Sequence, residues 1–221
     1  MLPGISNSTH EVGLDVGRYV DYSALCIMEV HQYTSHRRDP FSLSFPTEYR
    51  FIVRHLERFQ KSYTDTANYV SYLLHQAPFA NNSRLVYDRT GVGDGLTDLF
   101  KASRMPARIK PVVFTAGHEV SHNVRSDSWS VPKQTLLSHL HTVFTTKHLY
   151  IPRDLALAPI LLEELASLQV NITKAGNATF EPESSTQHDD LAFSVALATF
   201  FAIHDKLPIL RNLKSTPRLD E

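Results

Sequence analysis

The chain has 221 residues, 42% of them hydrophobic, which is enough to bury the core of one domain. Its formal net charge of −1 provides no global positive field for a polyanion, so contact with nucleic acid would need a local group of Lys and Arg side chains. The single cysteine, Cys26, lies in an apolar run, which indicates a buried hydrophobic residue rather than a disulfide or a Cys-based zinc site. The sequence lacks a basic and then apolar leader and any run of about 18 apolar residues, so we expect a cytoplasmic protein without membrane contact.

The first part of the chain predicts three strands after a flexible lead-in. Residues 1–10 are polar and contain proline and glycine, which favours a flexible segment. Apolar residues alternate with small or polar ones over residues 11–17, and β-branched and aromatic residues are frequent in residues 22–30 and 49–56. Three consecutive strands of this kind form an antiparallel meander, with the polar segment 32–47 as a loop.

A helical pattern follows the meander. Apolar residues repeat at helical spacing over residues 64–76. Short apolar strands at 85–88 and 109–114 enclose an amphipathic stretch at 96–102, and a helix between two strands implies that the strands pair in parallel. The candidate N-cap residues of the first helix are Thr64 and Asp65.

The second half of the chain is predicted to be mainly helical. The polar residues 115–130 show no apolar period and are interpreted as a surface loop. Pro132 suits the first position of a helix that reaches about Thr145. A further helix over residues 155–168 contains Pro159, which either bends it or marks its start. The remaining segments are a hairpin over residues 170–180, a final buried helix from residue 187 to about 203, and a tail from residue 206.

These elements predict one α/β domain over residues 11–205, between the lead-in 1–10 and a C-terminal tail 206–221. Its central sheet is mixed, with an antiparallel meander followed by parallel strands, and helices cover both faces.

Four aspartates stand out at the ends of predicted elements. Asp15 lies in a strand pattern where aspartate is disfavoured, on the same face as neighbouring glycines, and Asp88 ends a strand of the parallel part. Asp189 and Asp190 begin the last helix, where negative charge is favourable. Each alone is typical of a turn or a helix cap. If they converge, their repulsion calls for a divalent cation, and oxygen ligands favour Mg²⁺ or Mn²⁺. Two such ions about 4 Å apart, bridged by Asp15, would hydrolyse a phosphodiester.

The order and spacing of several motifs resemble the RNase H-like nuclease domain of the phage terminase large subunit, which cuts concatemeric viral DNA during packaging. The matching pieces cover most of residues 11–203 and are GLDVGRYVDYSAL, VYDRTGVGDGLTDLF, VPKQTLLSHLHTVF, LYIP, LLEEL and HDDLAFSVALA. The resemblance implies an endonuclease that cleaves double-stranded DNA with two Mg²⁺ or Mn²⁺ ions. It implies metal ligation and catalysis by Asp15, Asp88 and the pair Asp189 and Asp190, without deciding between the last two, and it adds His188 as a further ligand or a proton shuttle.

The resemblance also implies partners. These are double-stranded DNA, the terminase ATPase motor, the small terminase subunit and the portal, in the host cytoplasm. The chain contains no GxxxxGK[ST] phosphate loop, so we expect it to lack the motor, either as an excised domain or as a separate gene product. The glycine-rich stretch 91–95 is interpreted as the turn that holds Asp88 rather than as a nucleotide site.

Contact with DNA would come from local basic residues. Lys133, at a helix start, is favoured, with Arg125 and Arg104 next; Trp129 is interpreted as a loop anchor or a DNA contact. The other basic candidates are Arg37, Arg38, Lys101, Arg108 and Lys110.

Three alternatives stay open at this stage. The first is another RNase H-like nuclease, such as a junction resolvase or a transposase. The second is a non-catalytic packaging or assembly module, although all acidic positions are filled. The third is an actin-like or sugar-kinase-like ATPase, whose two domains need about twice this length. Asp21 is interpreted as a turn residue.

Overall fold

The computed structural model describes residues 5–17, 21–35, 38–41, 43–117, 119–172, 178–182 and 189–204. The strands of this described chain are β1 (Ile5–Asp15), β2 (Ser23–Thr34), β3 (Thr47–Phe59), β4 (Ser83–Asp88), β5 (Ala107–Thr115), β6 (Ser121–Asn123), β7 (Ser128–Pro132), β8 (Leu149–Tyr150), β9 (Leu168–Ile172) and β10 (Ala178–Pro182). The helices are α1 (Tyr63–Leu74), α2 (Asp94–Ala102), α3 (Lys133–Thr145), α4 (Ala158–Ser167) and α5 (Asp190–His204).

Eight strands form one mixed sheet in the order β6-β7-β5-β4-β1-β2-β3-β8. The pairs β1–β2 and β2–β3 are antiparallel, which confirms the predicted meander. The pairs β1–β4, β4–β5 and β5–β7 are parallel, and for β4 and β5, which are joined through α2, this is the predicted pairing. The predicted fold class is therefore correct, and β1 lies in the middle of the sheet with a parallel neighbour on one side and an antiparallel one on the other.

The sheet begins earlier than the composition suggests. The flexible lead-in predicted for residues 1–10 is wrong from Ile5 onward, because β1 starts there and pairs with Tyr33 of β2. The predicted loop 32–47 is shorter for the same reason, since β2 runs to Thr34. The N-cap of α1 is Ser62, whose side chain accepts a hydrogen bond from the backbone N–H of Asp65, so both predicted caps are wrong.

The surface loop predicted for residues 115–130 is also wrong, because this segment contains two strands. β6 is fully exposed and pairs with β7, which in turn pairs with β5. Polar side chains on an edge strand leave no apolar alternation, so the sequence carries little strand signal. Trp129 lies on β7, stacked on His122 and edge-on to Phe201. It is therefore a strand residue and not the loop residue that we expected.

The elements of the last third agree more closely with the predictions. Pro159 lies in the first turn of α4, so it marks the helix start. Pro132 immediately precedes α3, one position before the predicted one. The hairpin of β9 and β10 is confirmed, with its turn outside the described residues. The tail predicted for residues 206–221 also lies outside them. None of the described helices is long and apolar enough to cross a bilayer.

Apolar residues fill both faces of the sheet. One cluster joins β1, β2 and β4 to α1 and α2, and a second joins the opposite face to α3, α4 and α5. Cys26 is fully buried in the second cluster, as predicted. Every residue of α5 from Leu191 to Ile203 is buried, which confirms the predicted buried final helix.

Gly13 of β1 lets α5 lie directly on the sheet. A Cβ atom at this position would come within 1.9 Å of the Ser194 carbonyl oxygen and 2.6 Å of the Ala198 nitrogen. Only glycine permits this close approach of two backbones, so Gly13 sets the position of the helix that begins with Asp190.

Candidate metal centre

Asp15 and Asp88 lie at the same edge of the sheet. Asp15 is the last residue of β1, and Asp88 is the last residue of β4. The two strands are parallel neighbours with Leu14 opposite Tyr87, so the two aspartates follow side by side. Carboxyl ends of parallel strands meet at one edge, which is where ligands collect in such sheets. The sequence could place each aspartate at a strand end, and the topology brings them together.

The start of α5 brings Asp189 and Asp190 to the same edge. The helix packs on β1 through Gly13, and Asp190 is its first residue. The backbone carbonyl of Asp189 accepts the N–H of Phe193, so Asp189 belongs to the first hydrogen-bonded turn. Both carboxylates therefore lie beside the positive end of the helix dipole.

The pKa of Asp15 depends on the charges of the other three aspartates. Desolvation raises the pKa of Asp15 well above its ordinary value, and the negative charges of Asp88, Asp190 and Asp189 raise it further. The positive charge of Lys133 acts in the opposite direction. Each of the other three predicted aspartates therefore interacts electrostatically with Asp15.

The carboxylates are not yet arranged as a set of ligands. Within the described chain, no group of three or more His, Cys, Asp or Glu side chains has the geometry to hold a metal ion. Charges interact over longer distances than the length of a metal–oxygen bond. The other aspartates can therefore raise the pKa of Asp15 without lying close enough together to bind one ion. Mutual repulsion opposes closer approach of the four carboxylates, and a cation between them would remove it.

A tight turn fixes Asp88. Its Oδ1 accepts the backbone N–H of Thr90 at 2.7 Å, and the Thr90 hydroxyl accepts the N–H of Phe114 on β5 at 2.7 Å. Gly91 and Gly93 follow with positive φ angles of 77° and 66°, which glycine adopts without strain. The glycine-rich stretch therefore shapes the turn after Asp88, in agreement with our interpretation of it.

Arg58 and Glu164 join the site without having been predicted. Arg58, on β3, donates through Nη2 to Oε1 of Glu164 and to Oδ1 of Asp190. Glu164, on α4, is 3% exposed, and its Oε2 accepts the backbone N–H of Ala192 at 2.8 Å. Burial raises the pKa of Glu164 to about 7, against the lowering effects of the Ala192 N–H and Arg58. One feature of the sequence could have indicated Glu164: it lies three residues after Leu161, on the apolar side of α4, where a carboxylate is unusual.

Lys133 is the predicted basic residue that lies at the site. It is the first residue of α3, and its ammonium group lies 5.4 Å from the ring centre of Phe114 and 4.8 Å from that of Phe193. Cation–π contacts of this kind hold an ammonium group while leaving its donors available. Lys133 is thus an exposed cation beside Asp15.

The other predicted basic residues lie elsewhere. Arg104 precedes β5 at the opposite edge from Asp88, and β4 separates the two edges by roughly 17 Å. Arg125 lies between β6 and β7, at the side of the sheet. Lys110 lies over the Trp129 ring at 5.8 Å. Arg37 and His188 fall outside the described residues, so the predicted role of His188 stays a prediction. Asp21 is an exposed bend residue.

Solved structures provide the comparison. No protein-family model and no curated protein matches the sequence. The large terminase nuclease of the thermophilic phage G20c is similar in structure, with a TM-score of 0.55 and 19% identity over 90% of this chain and 84% of that one. Its magnesium-bound form gives a TM-score of 0.56 at 20% identity. The large terminase nuclease domain of Thermus phage P74-26 gives 0.54 at 18% identity, over 89% of this chain and 80% of that one.

This chain has the fold of a phage large terminase nuclease. The predicted resemblance is thereby confirmed at the level of fold, including the mixed sheet and the flanking helices. In this terminase nuclease fold, the edge that carries Asp15 and Asp88 is the carboxyl edge of the central strands, and α5 closes it from one face.

Proposed function

We propose that this chain is a divalent-metal-dependent endonuclease that cleaves double-stranded DNA and cuts viral concatemers during genome packaging. The observation that carries the proposal is the placement of four aspartates from β1, β4 and the start of α5 at one edge of the sheet, where three of them act electrostatically on Asp15. Negatively charged carboxylates gathered at one edge of the sheet have no role in apolar packing, because burying negative charge destabilises the fold unless a cation neutralises it.

The residues fit a magnesium or manganese site. All four donors are carboxylates, and such hard oxygen ligands select Mg²⁺ or Mn²⁺ over zinc. Desolvation and the negative charges of Asp88, Asp190 and Asp189 all disfavour the charged form of Asp15, and only the positive charge of Lys133 acts against them. Ligation would come from Asp15, Asp88 and Asp189 or Asp190, with two ions sharing Asp15. Bound ions of this type provide positive charge for a phosphodiester and promote the ionisation of water.

The chain's own residues have distinct roles in this proposal. Asp88, held by the Thr90 turn, keeps a fixed orientation at the edge of the sheet. Lys133 offers an ammonium group to a DNA phosphate beside the acidic residues, supported by two aromatic rings. The dipole of α5 stabilises the negative charge of the acidic pair at its start.

The structural comparisons support this proposal in two respects. The G20c large terminase nuclease was solved with bound magnesium and also with bound cobalt, both divalent ions. The G20c and P74-26 structures are nucleases of large terminases, which supports a role in packaging. We extend this role to the wider assembly, with an ATPase motor, a small terminase subunit and a portal as partners in the host cytoplasm.

Plasmid nicking tests the proposal. Supercoiled plasmid is incubated with the wild type, Asp15→Asn and Asp88→Asn in Mg²⁺, Mn²⁺ or EDTA. We expect cutting in either metal, none in EDTA, and a loss of at least about 100-fold in both variants, since each removes a ligand charge. Asp98→Asn, which changes an exposed aspartate on α2, is the matched control and should cut normally.

Two outcomes would contradict the proposal. Cutting that survives chelation would exclude a metal mechanism, and full activity in Asp15→Asn would exclude the shared ligand. A four-way junction added as a competing substrate separates the alternatives: strong preference for the junction would assign a resolvase instead of a packaging nuclease.

A further inference from the structure

We infer that Arg58 and Glu164 are positioning residues that orient Asp190 as a metal ligand of the proposed nuclease. The inference rests on the proposed function and extends it, because it assigns two residues outside the acidic set and distinguishes Asp190 from Asp189. It is carried by one hydrogen-bond network that joins β3, α4 and α5 at the edge of the sheet.

Arg58 connects two carboxylates through a single nitrogen. Its Nη2 carries two N–H groups, and these donate to Oε1 of Glu164 and to Oδ1 of Asp190. The side chains of Arg58, Glu164 and Asp190 are 20%, 4% and 14% exposed. Ion pairs that are this well shielded from water hold their geometry, whereas exposed pairs on a surface contribute little.

Glu164 anchors the network to the backbone of α5. Its Oε1 accepts from Arg58 and its Oε2 accepts from the N–H of Ala192, so both oxygens already have partners. Glu164 therefore acts on the first turn of α5 and is not itself a metal ligand. Helix starts carry unsatisfied N–H groups, and a carboxylate that accepts one of them fixes the turn.

Asp190 is held through one of its two oxygens. Oδ1 accepts from Arg58 and from the N–H of Leu191 at 3.0 Å. Among the described contacts, Asp190 uses Oδ1 only, which fixes the carboxylate and leaves Oδ2 for a cation. Partners of this kind behind a metal ligand orient it, and their loss weakens metal affinity or activity about 10- to 100-fold.

A simpler role for Arg58 predicts the opposite result. If Arg58 only supplied positive charge next to Asp190, its removal would make the site more negative, and the site would bind a divalent cation more tightly. If Arg58 orients Asp190, its removal weakens binding despite the added negative charge. The direction of the change therefore distinguishes orientation from charge balance.

Calorimetric titration with Mn²⁺ measures this direction without requiring DNA cleavage. We expect Arg58→Gln to bind Mn²⁺ at least about 10-fold more weakly than the wild type, and Arg58→Lys, which retains a cationic donor, to recover most of the loss. Glu164→Gln keeps an acceptor for Ala192 but loses the ion pair, and it should bind about 3- to 10-fold more weakly. Arg54→Gln is the matched control, because it removes another arginine of β3 from an ion pair, with Glu29, and should leave Mn²⁺ binding unchanged.

Plasmid nicking over a range of Mg²⁺ concentrations adds a second readout. The positioning role predicts a higher Mg²⁺ requirement in Arg58→Gln, with activity partly recovered at saturating metal. A thermal unfolding curve for each variant separates this effect from a loss of folding. If Arg58→Gln does not fold, Arg58→Lys and Glu164→Gln decide the question.

The possible results separate the two proposals. Unchanged or tighter Mn²⁺ binding in folded Arg58→Gln, while Asp15→Asn loses binding, would overturn the positioning role and leave the nuclease proposal intact. A wild type that neither binds Mn²⁺ nor cuts DNA would overturn the proposed function itself. Weaker binding in Arg58→Gln with recovery in Arg58→Lys supports both.

Discussion

Replacing Gly13 by alanine tests whether the contact between β1 and α5 determines the site. The added methyl group would lie 1.9 Å from the Ser194 carbonyl oxygen and 2.6 Å from the Ala198 nitrogen. Both are backbone atoms of a buried helix and cannot rotate away, so α5 must move off the sheet. Overpacking of a core costs about 1–3 kcal/mol and sometimes more. Because backbone must shift, we expect a loss of about 3 kcal/mol, or about 6–12 °C in Tm for a domain of this size.

Urea unfolding followed by circular dichroism measures the effect on stability. Gly95→Ala is the matched control: Gly95 lies in α2, and a Cβ atom there would meet nothing within 4 Å. Alanine at such a position stabilises a protein by about 0.4–1 kcal/mol. The same glycine-to-alanine change should therefore have opposite signs at the two positions.

The Gly13→Ala variant should also bind Mn²⁺ more weakly, because Asp190 moves with α5. A free energy of unfolding within about 0.5 kcal/mol of the wild type would refute the reasoning, since such a value is typical of surface substitutions without structural effect. It would mean that α5 does not lie on β1 in the way described.

Three further predictions concern other parts of the molecule. Lys133→Ala should reduce DNA nicking about 10-fold with little change in Tm, whereas Lys101→Ala, at an exposed position on α2, should cut as the wild type does. Burial and the charge of His204 lower the pKa of His139 to about 4, so the unfolded chain binds a proton on this residue between about pH 6.5 and 4 and the folded chain does not. The unprotonated His139 therefore contributes up to about 3 kcal/mol to the free energy of unfolding above pH 6.5, and this contribution is lost as the pH falls to 4. The Tm of His139→Leu should lack this part of the pH dependence over the same range. Arg84→Met should lower the free energy of unfolding in urea by about 3–5 kcal/mol, because the buried Glu11 loses its bidentate partner. Changing Glu11 to leucine in the same variant should restore most of this loss. Equal Tm profiles for wild type and His139→Leu, or an Arg84→Met variant as stable as the wild type, would contradict the last two predictions.

Much of the fold was predictable because strong local patterns agree with the tertiary structure. The meander, the helix between two parallel strands and the buried final helix all follow from apolar periodicity. The errors occur where periodicity is weak. Residues 5–10 are polar and β6 is an exposed edge strand, so their backbone pairing with β2 and β7 stabilises them without an apolar signal.

The candidate site was predictable in part for a related reason. Asp15 and Asp88 stand at strand ends that the sequence indicates, and their types predict the chemistry. Arg58 was missed because its partners Glu164 and Asp190 lie 106 and 132 positions further along the chain. No spacing rule reaches over such distances.

The sequence by itself determined the kinds of the strongly patterned elements and the acidic character of the candidate site. Helix and strand propensities depend on a few neighbouring residues, and side-chain chemistry depends on the residue type, so both can be inferred from the sequence. Only the tertiary structure decided which residues meet. The parallel pairing of β1 and β4 brings Asp15 beside Asp88, and Gly13 admits α5 with Asp190. Arg58 and Glu164 then join that site because strand order and helix packing, which depend on the whole core, place β3 and α4 next to it.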